Sequence, residues 1–169
     1  MYRGDGEEVR RLATLMQPTF ICLDWDRTFC STRGGCSPLK GQHTLDQELL
    51  ALVHDRVGSS ATSGAAWRTV HIVTRNSYRE DIVAFLEQHG LERGDVPIHT
   101  VTKGQSKADV IGQIANSGLT GPAAGARVRV LFVDDSIEEL LDEGSAKNGD
   151  EDDELQLEVL RVLFARGAI

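Results

Sequence analysis

Short apolar runs alternate along the chain with segments in which apolar residues recur at helical spacing. Apolar runs of strand length occupy five places, at 19–23, 67–74, 96–101, 128–133 and 155–164. Helical periodicity marks the segments 44–58, 77–90, 106–118 and 137–141, and a short helix fits Val9, Leu12, Leu15 and Met16. Strands that alternate with helices predict an α/β fold built on a mainly parallel sheet.

Capping residues, glycines and one proline predict where these elements begin and end. Capping boxes fit Thr44 with Gln47 and Ser77 with Glu80, and Ser106 is a candidate N-cap with Asp109 three residues on. Glycines at 58, 90 and 118 predict the helix ends. Pro97 predicts an edge position for the third strand. The alternating pattern of the fifth strand predicts an edge position as well.

Polar side chains follow four of the five predicted strands. Asp24, Asp26 and Thr28 follow the first, Thr74 ends the second, Lys103 and Lys107 follow the third, and Asp134 and Asp135 follow the fourth. Ligands of parallel sheets bind beyond the carboxyl ends of the strands, so these side chains form the candidate site. Acids at i and i+2 of an extended chain point to the same side, which leaves one to attack and the other to carry protons.

Each of these residues also has an ordinary structural explanation. The first two aspartates could form a polar turn, Thr74 could simply end a strand, and a lysine in a loop is usually solvated. Asp134 or Asp135 could cap the helix that follows, and we expect one to do so while the other binds a cation. The order of the strand ends along the chain favours the functional interpretation.

Adjacent carboxylates at the end of the fourth strand predict a bound cation. Burying Asp134 and Asp135 without a counter-charge would cost several kcal/mol. Mg²⁺ suits this place because it takes oxygen ligands from a few carboxylates, from water and from phosphate. Next to Thr74, the free N–H groups of a helix N-terminus are expected to bind an anion.

The segment 29–43 is rich in Gly, Ser and Pro and is predicted to be a flap over the end of the first strand. A solvated linker is the alternative. If the segment overhangs a phosphate, Arg33 and Lys40 are available to bind anionic groups.

Three cysteines, Cys22, Cys30 and Cys36, do not suggest a disulfide framework, because their number is odd and no secretory leader is visible. Cys30, Cys36 and His43 could be imagined as zinc ligands. Their spacing fits no compact zinc motif and a fourth ligand is not evident, so free thiols are favoured.

The length of the chain predicts a single domain, and most of its negative charge is concentrated in one region. A chain of 169 residues, 40% of them hydrophobic, is expected to form a single domain over 1–169. Residues 134–154 hold eleven acids and one lysine, a local charge of −10, whereas the remainder holds seventeen bases and fifteen acids, a charge of +2. The segment 144–154 is predicted to be an acidic surface loop, with a calcium loop as a weak alternative because the required ligand spacing is absent.

The same features restrict the cellular setting and the partners. The sequence has no apolar run of about 20 residues that could span a membrane and no signal-peptide pattern, so an intracellular protein is expected, cytoplasmic or nuclear. No basic patch interleaved with aromatic residues argues positively for nucleic acid, although the charge distribution leaves an anionic partner open. The sequence predicts no oligomeric state.

Together the four strand ends resemble the haloacid dehalogenase superfamily of phosphotransferases, over about residues 18 to 142. The family signatures stand here as D-x-D-x-T at 24–28, a strand-ending threonine at Thr74, a lysine before a helix at Lys107 or Lys103, and an acidic pair at Asp134 and Asp135. The resemblance implies a Rossmann-like three-layer sandwich whose five strands lie in the order 5-4-1-2-3.

The resemblance also implies a role for each residue. Asp24 would be the nucleophile that forms an aspartyl-phosphate, and Asp26 would protonate the leaving oxygen and then activate water. Thr74 and Lys107 would hold the phosphoryl oxygens. Asp24, Asp135 and the backbone carbonyl of Asp26 would hold Mg²⁺, with Asp134 as a further carboxylate. The candidates for substrate contact are Thr28, Arg75, Asn76 and Arg27, of which Arg27 could instead brace the flap.

The predicted activity is therefore that of a Mg²⁺-dependent phosphomonoester hydrolase. Members of this family that act as dehalogenases lack the second aspartate, so Asp26 favours a phosphatase. Segments 29–68 and 75–103 leave no room for the cap domain with which many relatives enclose small substrates. The capless type favours a phosphate on a protein or at a polynucleotide end. A silent phospho-ligand binding module and a phosphotransferase to an alcohol remain the alternatives.

Overall fold

The computed structural model describes residues 1–63, 69–118, 127–144 and 156–166, which form an alternation of strands and helices. The elements in chain order are β1 (Tyr2–Gly4), α1 (Gly6–Met16), β2 (Phe20–Leu23), α2 (Gln47–Ser63), β3 (Val70–Thr74), α3 (Arg79–Gln88), β4 (Ile98–Thr100), α4 (Lys107–Gly118), β5 (Arg127–Asp134), α5 (Ile137–Leu141) and β6 (Gln156–Phe164).

One six-stranded sheet with the order β1-β6-β5-β2-β3-β4 forms the centre of the fold. Every pair of neighbouring strands is parallel. The predicted α/β class with a Rossmann-like parallel sheet is confirmed, and the five predicted strands lie in the expected order. The predicted strand count was one too low, because β1 joins the sheet beside β6. The last strand is therefore not an edge strand, whereas β4, which follows Pro97, is one.

Helices cover both faces of the sheet, which makes three layers. The larger core joins α1, α2 and α3 to one face, and it includes Val9, Leu49 and Ile82. The smaller core joins α4 and α5 to the other face, and it includes Ile111 and Leu140. Strand β2 lies between β5 and β3 and is buried along its whole length, so its uninterrupted apolar run follows from its central position.

Two predicted helix starts are wrong. Helix α2 begins at Gln47 rather than Thr44, and the Asp46 carboxylate caps it by accepting from Leu49 N at 3.0 Å. Helix α3 begins at Arg79 rather than Ser77, because the chain first makes a turn after β3. Helix α2 also continues through Gly58 to Ser63, so that glycine is not a helix end.

The capping prediction for α4 is confirmed and the one for α5 is wrong. Ser106 Oγ accepts from Asp109 N at 3.0 Å, and the Asp109 carboxylate accepts from Ser106 N at 3.4 Å. Helix α5 is capped by Ser136, whose hydroxyl accepts from Glu139 N, and not by Asp134 or Asp135. Neither aspartate therefore takes the capping role that the sequence left open for one of them.

Several sequence features lie outside the described residues. These are Trp67 and Arg68 of the predicted second strand, residues 145–154 of the predicted acidic loop, and Leu155, the first residue of the predicted fifth strand. Among the helices that the structure describes, none combines the length and the hydropathy that crossing a membrane would require.

Candidate functional site

Three aspartates meet at the edge of the sheet where β2 and β5 end. Asp24 follows β2 directly, Asp134 ends β5, the strand paired with β2, and Asp135 comes next in the chain. One carboxylate oxygen from each residue lies within 4.8 Å of the other two. Asp24 and Asp134 are buried, and Asp135 is partly buried. Parallel strands thus bring together carboxylates that are far apart in the sequence.

Lys107, the first residue of α4, projects into this cluster of aspartates. Its side chain is 4% exposed, and Nζ donates to Asp24 Oδ1 and Asp134 Oδ2, at 2.7 Å in each case. The capping box described above fixes the helix end from which it projects. Lys103 is exposed on the preceding loop. Of the two lysines that the sequence left open, the structure places Lys107 in the cluster.

The cluster holds more negative than positive charge. Three carboxylates against one ammonium group give a net charge of −2 when all four groups are ionised. Burial raises the pKa of Asp24 to about 6, since loss of water outweighs the attraction of Lys107, and Asp135 adds to the rise. Burial and the charge of Asp24 together raise the pKa of Asp134 to about 6.

The pKa of Lys107 moves in the direction that its partners impose. Burial alone would lower this pKa, but the attraction of Asp24 and Asp134 outweighs that effect, and the pKa is raised. The lysine is therefore a permanent cation at neutral pH, and it offsets one of the three carboxylates with which it is buried.

A divalent cation fits the charge and the donor atoms of this cluster. Carboxylate oxygens are the ligands of hard cations such as Mg²⁺ and Ca²⁺, and a charge of +2 would neutralise the surplus. Among the described residues, Cys30, Cys36 and His43 form no comparable group of ligands. Cys22 and Cys30 are buried free thiols and Cys36 is an exposed one. The structure thus supplies a candidate cation site made of oxygen donors.

We expect this cluster to make the metal-free protein less stable as the pH rises from 5 to 7. A carboxyl group whose pKa is higher in the folded chain contributes stability at low pH, which is lost as the pH rises through the folded value. Asp24 and Asp134 both have a pKa of about 6 in the folded chain. Between pH 5 and pH 7 the unfolding free energy therefore falls by on the order of 1 kcal/mol per group. Urea unfolding at pH 5 and pH 7 in a chelator measures it.

The change in unfolding free energy between pH 5 and pH 7 is compared for the wild type and for Asp134→Asn. The difference between the two chains isolates the contribution of Asp134 from that of the other titrating groups. Added Mg²⁺ should raise the melting temperature more at pH 7.5 than at pH 5, because the ligands bind metal only when deprotonated. An Asp134→Asn chain with the wild-type pH dependence, or a Mg²⁺ effect that does not change with pH, would contradict this account of the charges.

Thr28 and the turn around it hold the Asp24 carboxylate in place. Thr28 is fully buried, and its hydroxyl donates to Asp24 Oδ2 at 3.1 Å, while Lys107 holds the other oxygen. The extended chain expected through Asp26 is wrong: β2 ends at Leu23, and Arg27 has a φ of 60° in the turn that follows. The substrate contact proposed for Thr28 stays a prediction, whereas its contact with Asp24 is observed.

Asp26 has its own set of partners, away from the aspartate cluster. Its Oδ1 accepts from Thr32 Oγ1 at 2.7 Å and from Asn76 Nδ2 at 3.1 Å, and its Oδ2 accepts from Gly35 N at 3.3 Å. The carboxylate still lines the same cleft as Asp24. Metal binding by the Asp26 backbone carbonyl stays a prediction.

Thr74 and Asn76 form a buried turn after β3. The Thr74 hydroxyl is fully buried and accepts from Asn76 N at 3.0 Å, so its own proton is left to donate. The Asn76 side chain is engaged in structural contacts, since Nδ2 donates to Asp26 and to Cys36 O and Oδ1 accepts from Tyr78 N. The helix N-terminus expected next to Thr74 is displaced to Arg79 by this turn.

Arg75 and Arg27 lie at the mouth of the site. Arg75 is ion-paired with Glu139 of α5, and its guanidinium also donates to the carbonyls of Thr102 and Gln105. Glu139 is a charged site residue that sequence reasoning missed, and Gly34 and Ser136 also line the cleft without having been predicted. The one sequence feature that points to Glu139 is its position in the first turn of α5, directly after Asp134, Asp135 and Ser136.

Trp25, between the two aspartates of the turn, anchors this turn in the larger core. Its ring is fully buried and packs edge-on against Phe29 and Phe85, with centroids 5.7 and 6.1 Å away. Within the described residues, its indole N–H has no hydrogen-bond acceptor. Ring packing therefore fixes the backbone from which Asp24 and Asp26 project.

The flap, residues 29–43, is tied to the site by side-chain hydrogen bonds. Besides the bonds from Thr32 and Gly35 to Asp26, Asn76 donates to the Cys36 carbonyl at 2.8 Å. Ser37 Oγ donates to Asp81 Oδ2 on α3 at 2.6 Å. The flap therefore forms one wall of the cleft.

The cleft itself is small, open and mostly charged. Its volume is about 250 Å³, and it is lined by Asp24, Asp26, Arg27, Gly34, Arg75, Lys107, Asp134, Asp135, Ser136 and Glu139. Thr28, Thr74 and Asn76 lie beneath this surface, and the remaining predicted site residues line it. Comparison with protein-family models, with curated proteins and with solved structures found no match to this chain.

Proposed function

We propose that the chain is a divalent-cation-dependent phosphomonoester hydrolase of the haloacid dehalogenase type, with Mg²⁺ as its cation. The observation that supports this most directly is the convergence of Asp24, Lys107, Asp134 and Asp135 at one strand edge with a net charge of −2. A surplus of buried negative charge is costly unless a cation or a cationic ligand is bound. A phosphate binds to such a site only when a cation accompanies it.

The observed contacts suit Asp24 to act as the nucleophile. Lys107 and Thr28 hold its two oxygens, which limits the orientations that the carboxylate can take. With a pKa near 6, Asp24 is ionised at neutral pH and able to attack phosphorus. As the Asp24 oxygen bonds to phosphorus, the bond from phosphorus to the ester oxygen breaks, and an aspartyl-phosphate forms.

We assign the proton transfers of both steps to Asp26. It protonates the departing ester oxygen, and as a carboxylate it then takes a proton from the water that hydrolyses the aspartyl-phosphate. Thr32, Asn76 and Gly35 hold its carboxylate at the cleft, which Asp26 lines. Lys107 and the Thr74 proton contribute stabilisation to the phosphoryl oxygens, and a bound Mg²⁺ would supply further positive charge.

The open cleft supports a substrate in which the phosphate belongs to something large. Between β2 and β3 the described residues form only the flap and α2, and between β3 and β4 they form only α3. No cap domain is present in these described segments to enclose a small molecule. A phosphoprotein or a polynucleotide end can therefore present its phosphate from outside.

Phosphate release from p-nitrophenyl phosphate, with and without a chelator, tests the proposal. We expect the chelator to lower the rate at least about 100-fold, because a metal acting as a Lewis acid contributes several kcal/mol. Excess Mg²⁺ should restore the rate, and a circular dichroism spectrum should be unchanged throughout.

Other outcomes identify the alternatives. Metal-dependent phosphate binding without release would indicate a binding module, and a phosphorylated product formed from added glycerol would indicate a phosphotransferase. A rate that is indifferent to the chelator would contradict the proposed mechanism.

A further inference from the structure

A second pocket lies beside the cleft, on the side of the flap. This flap pocket has a volume of about 650 Å³ and is lined by Ser31, Arg33, Gly35, Cys36, Ser37, Lys40, Gln42, His43 and Tyr78. It is larger than the cleft, for which the corresponding volume is about 250 Å³. Neighbouring residues of the flap line the two pockets, since Gly34 lines the cleft and Gly35 lines the flap pocket.

The charges of the flap pocket are opposite to those of the cleft. No carboxylate is among its lining residues, whereas five carboxylates line the cleft. Arg33 and Lys40 are both exposed, and neither forms an ion pair with any residue that the structure describes. His43 Nε2 donates to the Lys40 carbonyl at 2.7 Å and so fixes the turn that carries Lys40.

Tyr78 adds an aromatic surface to these cations. It is 42% exposed although it directly precedes α3, and its backbone N–H is held by Asn76 Oδ1 at 2.9 Å. Cationic side chains beside an exposed ring are the combination that binds single-stranded nucleic acid, in which phosphates pair with the cations and a base stacks on the ring.

Resting on the proposed function, we propose that the substrate is the phosphorylated end of a single-stranded polynucleotide, with its next phosphate and base in the flap pocket. A polynucleotide carries a phosphodiester at every nucleotide, so a second anion follows the terminal phosphate at a fixed spacing. A phosphopeptide brings no such charge at a fixed spacing. Arg33 and Lys40 bind the second phosphate, and Tyr78 stacks on the base.

The test compares substrates that share a phosphomonoester and differ in what is attached to it. These are p-nitrophenyl phosphate, decathymidylates phosphorylated at the 5′ or the 3′ end, and a neutral decapeptide with one phosphoserine. The readout is kcat/KM for each macromolecular substrate divided by kcat/KM for the aryl phosphate. For at least one of the two decathymidylates we expect a ratio of at least about 100 in 50 mM salt, falling steeply at 200 mM.

Variants of the flap pocket show where the preference comes from. Arg33→Ala and Lys40→Ala should each lower the oligonucleotide ratio about 10-fold, since each removes one phosphate contact. Tyr78→Ala should lower it about as much, and Tyr78→Phe should keep it, because the ring rather than the hydroxyl stacks on the base. Arg3→Ala on β1, an exposed arginine at the far edge of the sheet, is the matched control and should leave the ratio unchanged.

Each of the other possible results contradicts one part of the proposal: the polynucleotide substrate, the role of the flap pocket, or the phosphatase activity. If the aryl phosphate is hydrolysed but neither oligonucleotide is preferred, or the phosphopeptide is preferred, the polynucleotide assignment is wrong and the phosphatase proposal survives. If the oligonucleotide is preferred but the Arg33, Lys40 and Tyr78 variants keep that preference, the flap pocket is not its source. If no phosphoester is hydrolysed in the presence of Mg²⁺, the proposed function fails and the substrate assignment fails with it.

Discussion

Replacing Asp24 by asparagine is expected to lower phosphate release from p-nitrophenyl phosphate by at least about 10³-fold, because the amide cannot attack phosphorus to form the acyl phosphate. The loss should appear in kcat rather than in KM, since asparagine keeps the size of the side chain and an oxygen that can accept from Thr28. Steady-state kinetics in saturating Mg²⁺ measure both terms.

A folding defect is not expected to cause this loss. Asp24→Asn removes one of three carboxylates that share a single ammonium group, so the unfolding free energy in chelator should stay within about 1 kcal/mol of the wild-type value. Asp55→Asn, on the exposed side of α2, is the matched control and should keep the wild-type rate. Wild-type turnover by Asp24→Asn would show that the nucleophile lies elsewhere.

Replacing Lys107 by methionine is expected to cost about 3–5 kcal/mol of unfolding free energy at pH 7.5 in a chelator, because it leaves Asp24 and Asp134 buried without their cation. Methionine keeps the apolar stem, so loss of charge dominates the effect. Urea unfolding monitored by circular dichroism measures it. Activity should fall as well, since the phosphoryl oxygens lose their ammonium partner.

The destabilisation caused by loss of the Lys107 charge can be distinguished from one caused by a general packing defect. Lowering the pH to 5 protonates the buried carboxyl groups and should recover part of the lost stability, and Mg²⁺ at pH 7.5 should do the same by binding to them. Lys103→Met, on the exposed loop before α4, should change the unfolding free energy by less than about 0.5 kcal/mol. Equal destabilisation at both pH values would mean that the charge of Lys107 is not what matters.

Central strands were the most predictable part of the fold. Strand β2 is buried along its whole length and reads as a continuous apolar run. Strand β3 is buried as well, with His71 the polar residue inside it, and β5 is buried from residue 130 onward, so a polar residue follows or ends an apolar run in each case. Strand β1 escaped prediction because it has three residues, two of them exposed, and pairs with β6 alone. A short edge strand of this kind has no hydrophobic pattern of its own.

Local capping patterns were less dependable than the strand pattern, because tertiary contacts decide which of several candidate caps is used. Ser77 lost its capping role when Asn76 turned back to bind Asp26 and the flap. Thr44 lost its role to Asp46, which accepts from the backbone two residues later than expected.

The sequence predicted which residues form the candidate site, but it did not predict how their side chains pair. Strand ends and their order identified Asp24, Asp134 and Asp135, because parallel strands end at the same edge. Choosing Lys107 over Lys103 required the direction of α4, which no sequence spacing provides. The pairing of Arg75 with Glu139 depends likewise on how α5 packs beside the cleft.

Trp25 gives this site a built-in optical reporter. Its indole is sealed in the core between two aspartates of the cleft, and the chain has one other tryptophan, Trp67. With Trp67 replaced by phenylalanine, the fluorescence of the chain would come from a single indole in an apolar environment. Emission from that indole would then report on the packing of the turn that carries Asp24 and Asp26, without any attached dye.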